Sequence, residues 1–324
     1  MKRRDTGLWF FSLVAPAWPA VAQRPVRRIG YFGMANASSD APFLEAFRAG
    51  LRELRWIEGT DFVLDARFAD GSAQAAFAQA DALVATAPDL LLTPAEAAGR
   101  LLYQRTKKIP IVLCFAADPV ASGMAANLRK PGSNVTGLSS MTSELWPKRV
   151  QLLSDAFPAI KHLGMMFSPA IENSVSQAQA IGGVPASLGL RVTPIELKED
   201  SNLAAIFQRA APLGVQAYLV AFDAFTHGQR REIADHLRRL KAPAMFATAQ
   251  YVESGGLMSY SASITDNFRR AAHYADKILK GTAPGELSIE QPTRFDLVLN
   301  LQTAKAIGVT IPKSFLLRVD RLVE

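Results

Sequence analysis

The chain has 324 residues, 49% hydrophobic and 20% charged, which is enough apolar material for two cores and argues against a disordered chain. Its formal net charge is +7, from 36 Lys and Arg against 29 Asp and Glu. That excess lies on solvated helix faces, such as Arg230-Arg231 and Arg238-Arg239 beside Glu232 and Asp235. No basic block with interleaved aromatics is present, which argues against a nucleic-acid partner.

The N-terminus reads as an export signal. Lys2-Arg3-Arg4 is a charged head, Leu8 to Ala15 is a short apolar core, and Ala20-Val21-Ala22 fits a small-residue cleavage site before Gln23. The apolar core is too short for a permanent membrane helix, so cleavage after Ala22 and a periplasmic location are expected. The single cysteine, Cys114, lies within an apolar strand and reads as a small buried residue.

Residues 28–33 predict a first strand ending in Gly33, followed by the polar loop 36–39. Asp40 reads as the cap of a helix whose apolar positions Phe43, Phe47, Leu51 and Leu54 keep helical spacing. Residues 62–68 are the next strand, 72–86 an Ala-rich helix, 88–92 a third strand and 111–115 a fourth, buried on both faces. At its end, Asp118-Pro119 reads both as a helix cap followed by Pro at the first helical position and as a ligand group. The Gly- and Pro-rich run through Val135-Thr136-Gly137 reads as a turn and the first crossing into a second lobe.

The same rhythm then recurs. Strands are predicted at 162–167, 191–197, 217–222 and 244–247, with helices at about 171–188, 203–211 and 226–240. A tight turn at Gly255-Gly256 enters a short strand. A long amphipathic helix at 264–279, a strand at 295–300 and a helix to Ile307 follow. The order predicts an α/β chain of two similar lobes, each a parallel sheet flanked by helices. The C-terminal part must return to the first lobe, and a multi-strand return makes a hinge suited to closing on a ligand.

No G-x-S-x-G, phosphate-loop, G-x-G-x-x-G or H-E-x-x-H pattern occurs. The histidines, His162, His227, His236 and His273, show no ligand spacing, so neither an enzyme site nor a metal or cofactor is expected. What remains is a set of polar groups near predicted strand ends: Asn36, Ser38, Thr93, Asp118, Thr136, Ser168, Asp223 and Tyr251. Hydroxyls and helix N-terminal amides there suit a carboxylate, and Asp118 or Asp223 suits an ammonium group. Phe32, Phe115, Phe222, Phe225 and Tyr251 are candidates to wall an apolar side chain. Each also has a plain structural role open to it, as a cap, loop or core residue.

Several stretches resemble a known family. They are Asp118-Pro119-Val120, the run from Arg129 to Gly137, Gly255 to Tyr260, Arg269 to Ala272 with Asp276 to Gly281, and Glu290 to Phe295 through Ala304 to Gly308. Together they resemble the exported substrate-binding proteins of ABC transporters, of the tryptophan/tyrosine-binding type. The resemblance implies a two-lobe periplasmic-binding-protein fold of type I with three crossings. The lobes would be 27–140 with 262–291 and 141–261 with 292–324. It also implies a small-molecule ligand, such as an amino acid or aromatic acid, held between the lobes by a monomer. That ligand would pass to an ABC permease in the inner membrane. Leu138-Ser139-Ser140 stands where such proteins often carry Asp, so the resemblance leaves the ligand open. A second reading keeps the fold and makes the chain a periplasmic sensor that presents its closed form to a membrane receptor. A third is an exported hydrolase or isomerase.

Overall fold

The computed structural model describes residues 25–198 and 202–324; the export signal expected at residues 1–22 lies outside them. The first half alternates strand and helix: β1 (Arg27–Gly33), α1 (Ala37–Glu53), β2 (Phe62–Phe68), α2 (Ala73–Ala85), β3 (Leu90–Thr93), α3 (Glu96–Arg105), β4 (Ile111–Ala116) and β5 (Val135–Ser139). These strands form one parallel sheet in the order β2-β1-β3-β4-β5. Alternate residues fill its two faces. Ile29, Tyr31, Leu92 and Val112 pack with α1, whereas Phe32, Leu91, Ile111 and Leu113 pack with α2 and α3.

The chain then crosses to a second sheet through α4 (Trp146–Ala156), β6 (His162–Phe167), α5 (Glu172–Ala180), α6 (Val184–Ser187), β7 (Arg191–Glu196) and α7 (Leu203–Ala210). It continues through β8 (Ala217–Val220), α8 (Ala224–Gly228), α9 (Arg230–Arg239), β9 (Ala244–Phe246), α10 (Ala249–Glu253) and β10 (Met258–Ala262). It returns to the first sheet as α11 (Ile264–Leu279), which packs along α1 and covers β4. Gly50 permits that contact, because a Cβ there would lie 2.4 Å from the Arg269 carbonyl oxygen. After residues 287–290 run beside β5, the chain crosses again to β11 (Phe295–Asn300), α12 (Leu301–Ile307), α13 (Lys313–Leu316) and β12 (Arg321–Val323). The second sheet has the order β12-β11-β10-β9-β8-β6-β7, parallel except for the β10–β11 pair. The expected α/β architecture of two lobes and three crossings is thus present.

The crossings lie side by side. Ser139 N–H donates to Glu290 O at 2.9 Å, Ser263 N–H donates to Arg294 O at 3.1 Å, and Ala262 pairs with Phe295.

Several local expectations are corrected. Asn36, not Asp40, caps α1, accepting the Ser39 N–H; Asp40 is buried in the first turn and accepts the Tyr31 hydroxyl at 2.8 Å. The turn expected at residues 135–137 is strand β5. Gly137 serves it by close approach, since a Cβ there would meet the Leu113 carbonyl oxygen at 2.0 Å. The helix expected at 171–188 breaks at Gly182, which adopts a φ of 55° that favours glycine, and Pro185 opens the short second piece. The helix expected at 226–240 begins earlier, at Asp223, and breaks at Gln229. Helix α4 and the edge strand β12 were unread in the sequence.

Candidate functional site

Most of the polar groups singled out from the sequence follow strand carboxyl ends of the two sheets, and the structure sorts them into free and engaged. Thr93 closes β3; its hydroxyl is fully buried with no hydrogen-bond partner. Ser168 follows β6 in the other lobe and is likewise 1% exposed, with its Oγ unpartnered. Ser139, at the end of β5, is a third buried hydroxyl without a partner, missed because Val135-Thr136-Gly137 just before it read as a turn rather than a strand. A buried polar atom left unpaired costs free energy, so each is a group that a further polar partner would stabilise.

The remaining predicted residues are engaged within the protein. Asn36 caps α1 and accepts the Ser38 hydroxyl at 2.7 Å, with both residues exposed. Asp118 is exposed. Its carboxylate accepts the N–H groups of Val120 and Ala121 at 3.1 and 2.9 Å, so Asp118-Pro119 opens a single turn rather than a helix. Thr136 lies within β5, not at its end, and its hydroxyl donates to Leu287 O at 2.7 Å.

Asp223 is 4% exposed, and both its carboxylate oxygens are engaged within the protein. Oδ1 accepts the Thr226 N–H at 2.8 Å, Oδ2 accepts the Ser174 hydroxyl at 2.6 Å, and the Asp223 N–H donates to Thr226 Oγ1 at 3.0 Å. This reciprocal cap satisfies helix-start donors that would otherwise be orphaned, and its signal, Asp223 three residues before Thr226, was readable. Thr226 Oγ1 also lies 2.9 Å from the Tyr251 hydroxyl. Tyr251 is fully buried, stacked on Phe246 at 5.0 Å, and burial pushes its pKa upward. Beside it, His227 packs edge-on against Phe222 and Tyr251. Burial, helped by Arg230 and opposed by Asp223, lowers its pKa from 6.5 to about 4, so the ring is neutral at pH 7. Phe32 is core, whereas Phe222 is half-buried at the end of β8.

Behind these strand ends sits a residue that the sequence did not mark. Arg149, in α4, is fully buried. Its guanidinium donates to three carbonyl oxygens: Tyr260 at 2.7 Å, Thr142 at 2.6 Å and Ala247 at 3.0 Å. Burial lowers its pKa to about 9, against which Tyr260 and Glu144 act more weakly. Asn267 plays a related part in the first lobe, donating to Cys114 O at 3.0 Å at the end of β4.

A surface depression of about 310 Å³ lies elsewhere, at the amino ends of β1, β3 and β4, lined by Arg27, Asp89, Pro110 and residues 278–282. Its charged groups are already paired, Arg27 with Asp89 and Lys280 with Asp276, so it offers a ligand little. Among the described residues there is no cluster of three or more metal-ligating side chains, and no helix is long and apolar enough to cross a membrane.

Comparison with known proteins agrees with this fold. A tyrosine-binding protein of Clostridioides difficile (strain R20291) is 22% identical over 266 residues, covering 82% of this chain and 76% of that protein. A solved conserved domain protein from Vibrio cholerae is 25% identical with a TM-score of 0.80, over 92% of this chain and 100% of the other. An ABC domain from Streptococcus pneumonia in complex with L-Trp has 23% identity and a TM-score of 0.81, again over 92% and 100%. The fold is accordingly the type I periplasmic-binding-protein fold. Residues 38–323 match the family of ABC transporter substrate binding proteins, which bind rather than catalyse, and the chain belongs to that family.

Proposed function

We propose that this chain is the extracytoplasmic binding component of an ABC import system and holds an aromatic amino acid between its two lobes. The observation that carries this reading is that three of the buried hydroxyls without partners lie at strand ends, Thr93 and Ser139 in one sheet and Ser168 in the other. A ligand that takes bonds from both lobes favours the closed arrangement over the open one, which is how binding becomes a conformational signal. The tyrosine-binding relative and the L-Trp complex support the ligand class. The half-buried Phe222 supplies an apolar wall suited to an aromatic side chain.

The lobes are 27–140 with 262–291 and 141–261 with 292–324. The protein acts as a periplasmic monomer after cleavage at Ala22 and delivers its ligand to an inner-membrane permease. The test is a thermal-shift panel on the chain from Gln23 with L-tyrosine, L-tryptophan, L-leucine and small carboxylates. A bound ligand at about 100 times its Kd adds roughly 2.7 kcal/mol of stability. Stabilisation by an aromatic amino acid alone is expected; stabilisation by a different class reassigns the ligand.

A further inference from the structure

The hinge of this protein carries an unusual buried cation. Arg149 is 0% exposed, and its bonds go to main-chain oxygens rather than to a carboxylate. Those oxygens belong to three separate places: Thr142 on the first crossing, Tyr260 near the end of the strand that leads into the second, and Ala247 at the end of β9. One side chain therefore fixes two of the three connections to the second lobe. The connection at Thr142 is also held in a costly conformation. Met141 adopts a φ of 50°, a left-handed geometry that a side chain disfavours, while the hydroxyls of Ser140 and Thr142 sit 2.6 Å apart.

The guanidinium continues into a second set of contacts. It lies over the Trp146 ring, 4.7 Å from its centroid. The Trp146 indole N–H donates to Gln177 Oε1 at 3.2 Å. Gln177 is fully buried and clamps Phe222 from both sides, accepting its N–H at 2.9 Å and donating to its carbonyl oxygen at 2.7 Å. Phe222 is the half-buried ring at the end of β8, next to the Asp223 cap. Each group in this relay is held by directional bonds in a low-dielectric interior, where small displacements at one end are felt at the other.

We propose that Arg149, acting through Trp146 and Gln177, couples the first crossing at Thr142 to the cleft edge at Phe222 and so sets the balance between open and closed lobes. Arg149 is a positioning residue: its guanidinium is spent on three main-chain carbonyls and the Trp146 face, and it acts through the groups that it holds. The idea rests on the closure described under the proposed function, but its first readout does not need a ligand.

The test measures the distance between spin labels at Gln104→Cys in α3 and Gln208→Cys in α7, both exposed positions, in the chain from Gln23. Cys114 is fully buried and stays unlabelled. Trp146→Phe keeps an aromatic ring, though a smaller one, and removes the indole N–H, and Arg149→Lys keeps the charge but cannot span three carbonyls. Both should shift or broaden the ligand-free distance distribution and weaken L-tryptophan or L-tyrosine binding by about tenfold, within the usual range of coupling between sites. Leu153→Ala, a core truncation in the same helix, should lower the melting temperature without moving the distribution. An unchanged distribution in a folded Trp146→Phe protein overturns the proposal, even where Arg149→Lys fails to fold. If neither amino acid binds the parent protein, the ligand reading fails while the ligand-free distributions still decide this one.

Discussion

Ser174 Oγ donates to Asp223 Oδ2 at 2.6 Å, and both residues are buried, so the carboxylate at the end of β8 is committed to its own lobe. From the sequence, Asp223 was a candidate to hold a ligand cation. Its second oxygen takes the Thr226 N–H as a helix cap, so both oxygens are engaged within the protein.

Asp223→Ala should therefore act on stability. Losing a helix cap together with a charge-assisted hydrogen bond costs about 2–3 kcal/mol. Chemical denaturation should show a lower midpoint with an unchanged slope. An unchanged midpoint with strongly weakened binding would instead return Asp223 to the ligand.

Thr93→Val and Ser168→Ala should do the opposite. Each removes a hydroxyl that has no internal partner, so stability should stay within about 0.5 kcal/mol or rise slightly. A hydrogen bond lost to a charged ligand group is worth about 1.5–3 kcal/mol, roughly tenfold or more in Kd. Equal affinity in both variants would remove these hydroxyls from the site.

Gly137→Ala should be severe. A Cβ would sit 2.0 Å from the Leu113 carbonyl oxygen and φ is 137°, so β4 and β5 cannot keep their spacing. We expect a loss of about 3 kcal/mol or more, read as a fall in melting temperature. A near-neutral variant would mean that the two strands separate more easily than their packing implies.

Acid should loosen the second lobe through His227. Its pKa is about 4 in the folded chain and 6.5 ordinarily, so between those values the unfolded chain binds a proton that the folded chain refuses. Stability then falls as pH drops from 6.5 towards 4, by up to about 3 kcal/mol. Asp40 works in the other direction: burial raises its pKa above 3.8, against the Tyr31 hydrogen bond, and acid relieves that cost. His227→Gln should lose less melting temperature between pH 7 and pH 4.5 than the parent. Equal losses would place the acid sensitivity elsewhere.

Much of the fold was legible because its strands are short apolar runs. Residues 111–115, 162–167 and 295–300 read correctly, and α11 matches at both ends, because burial on two faces and helical spacing leave plain marks. What was misread depends on distant neighbours. Val135 to Ser139 contains a glycine and two hydroxyls, and it becomes a strand only because Leu113 and residues 287–290 flank it. Among candidate site residues, Thr93 and Ser168 were placed at strand ends correctly. Whether a hydroxyl is free or spent, as in Thr136, is settled by a partner 151 positions away. Arg149 was invisible for the same reason, since its three acceptors come from three separate segments.

The most direct test of the central claim is isothermal titration calorimetry of the chain from Gln23 with L-tyrosine and L-tryptophan, repeated on Thr93→Val and Ser168→Ala. The account predicts one molecule bound per chain and at least tenfold weaker binding when a hydroxyl from either lobe is removed. Binding that survives both substitutions unchanged would contradict a ligand held between the lobes by these strand ends.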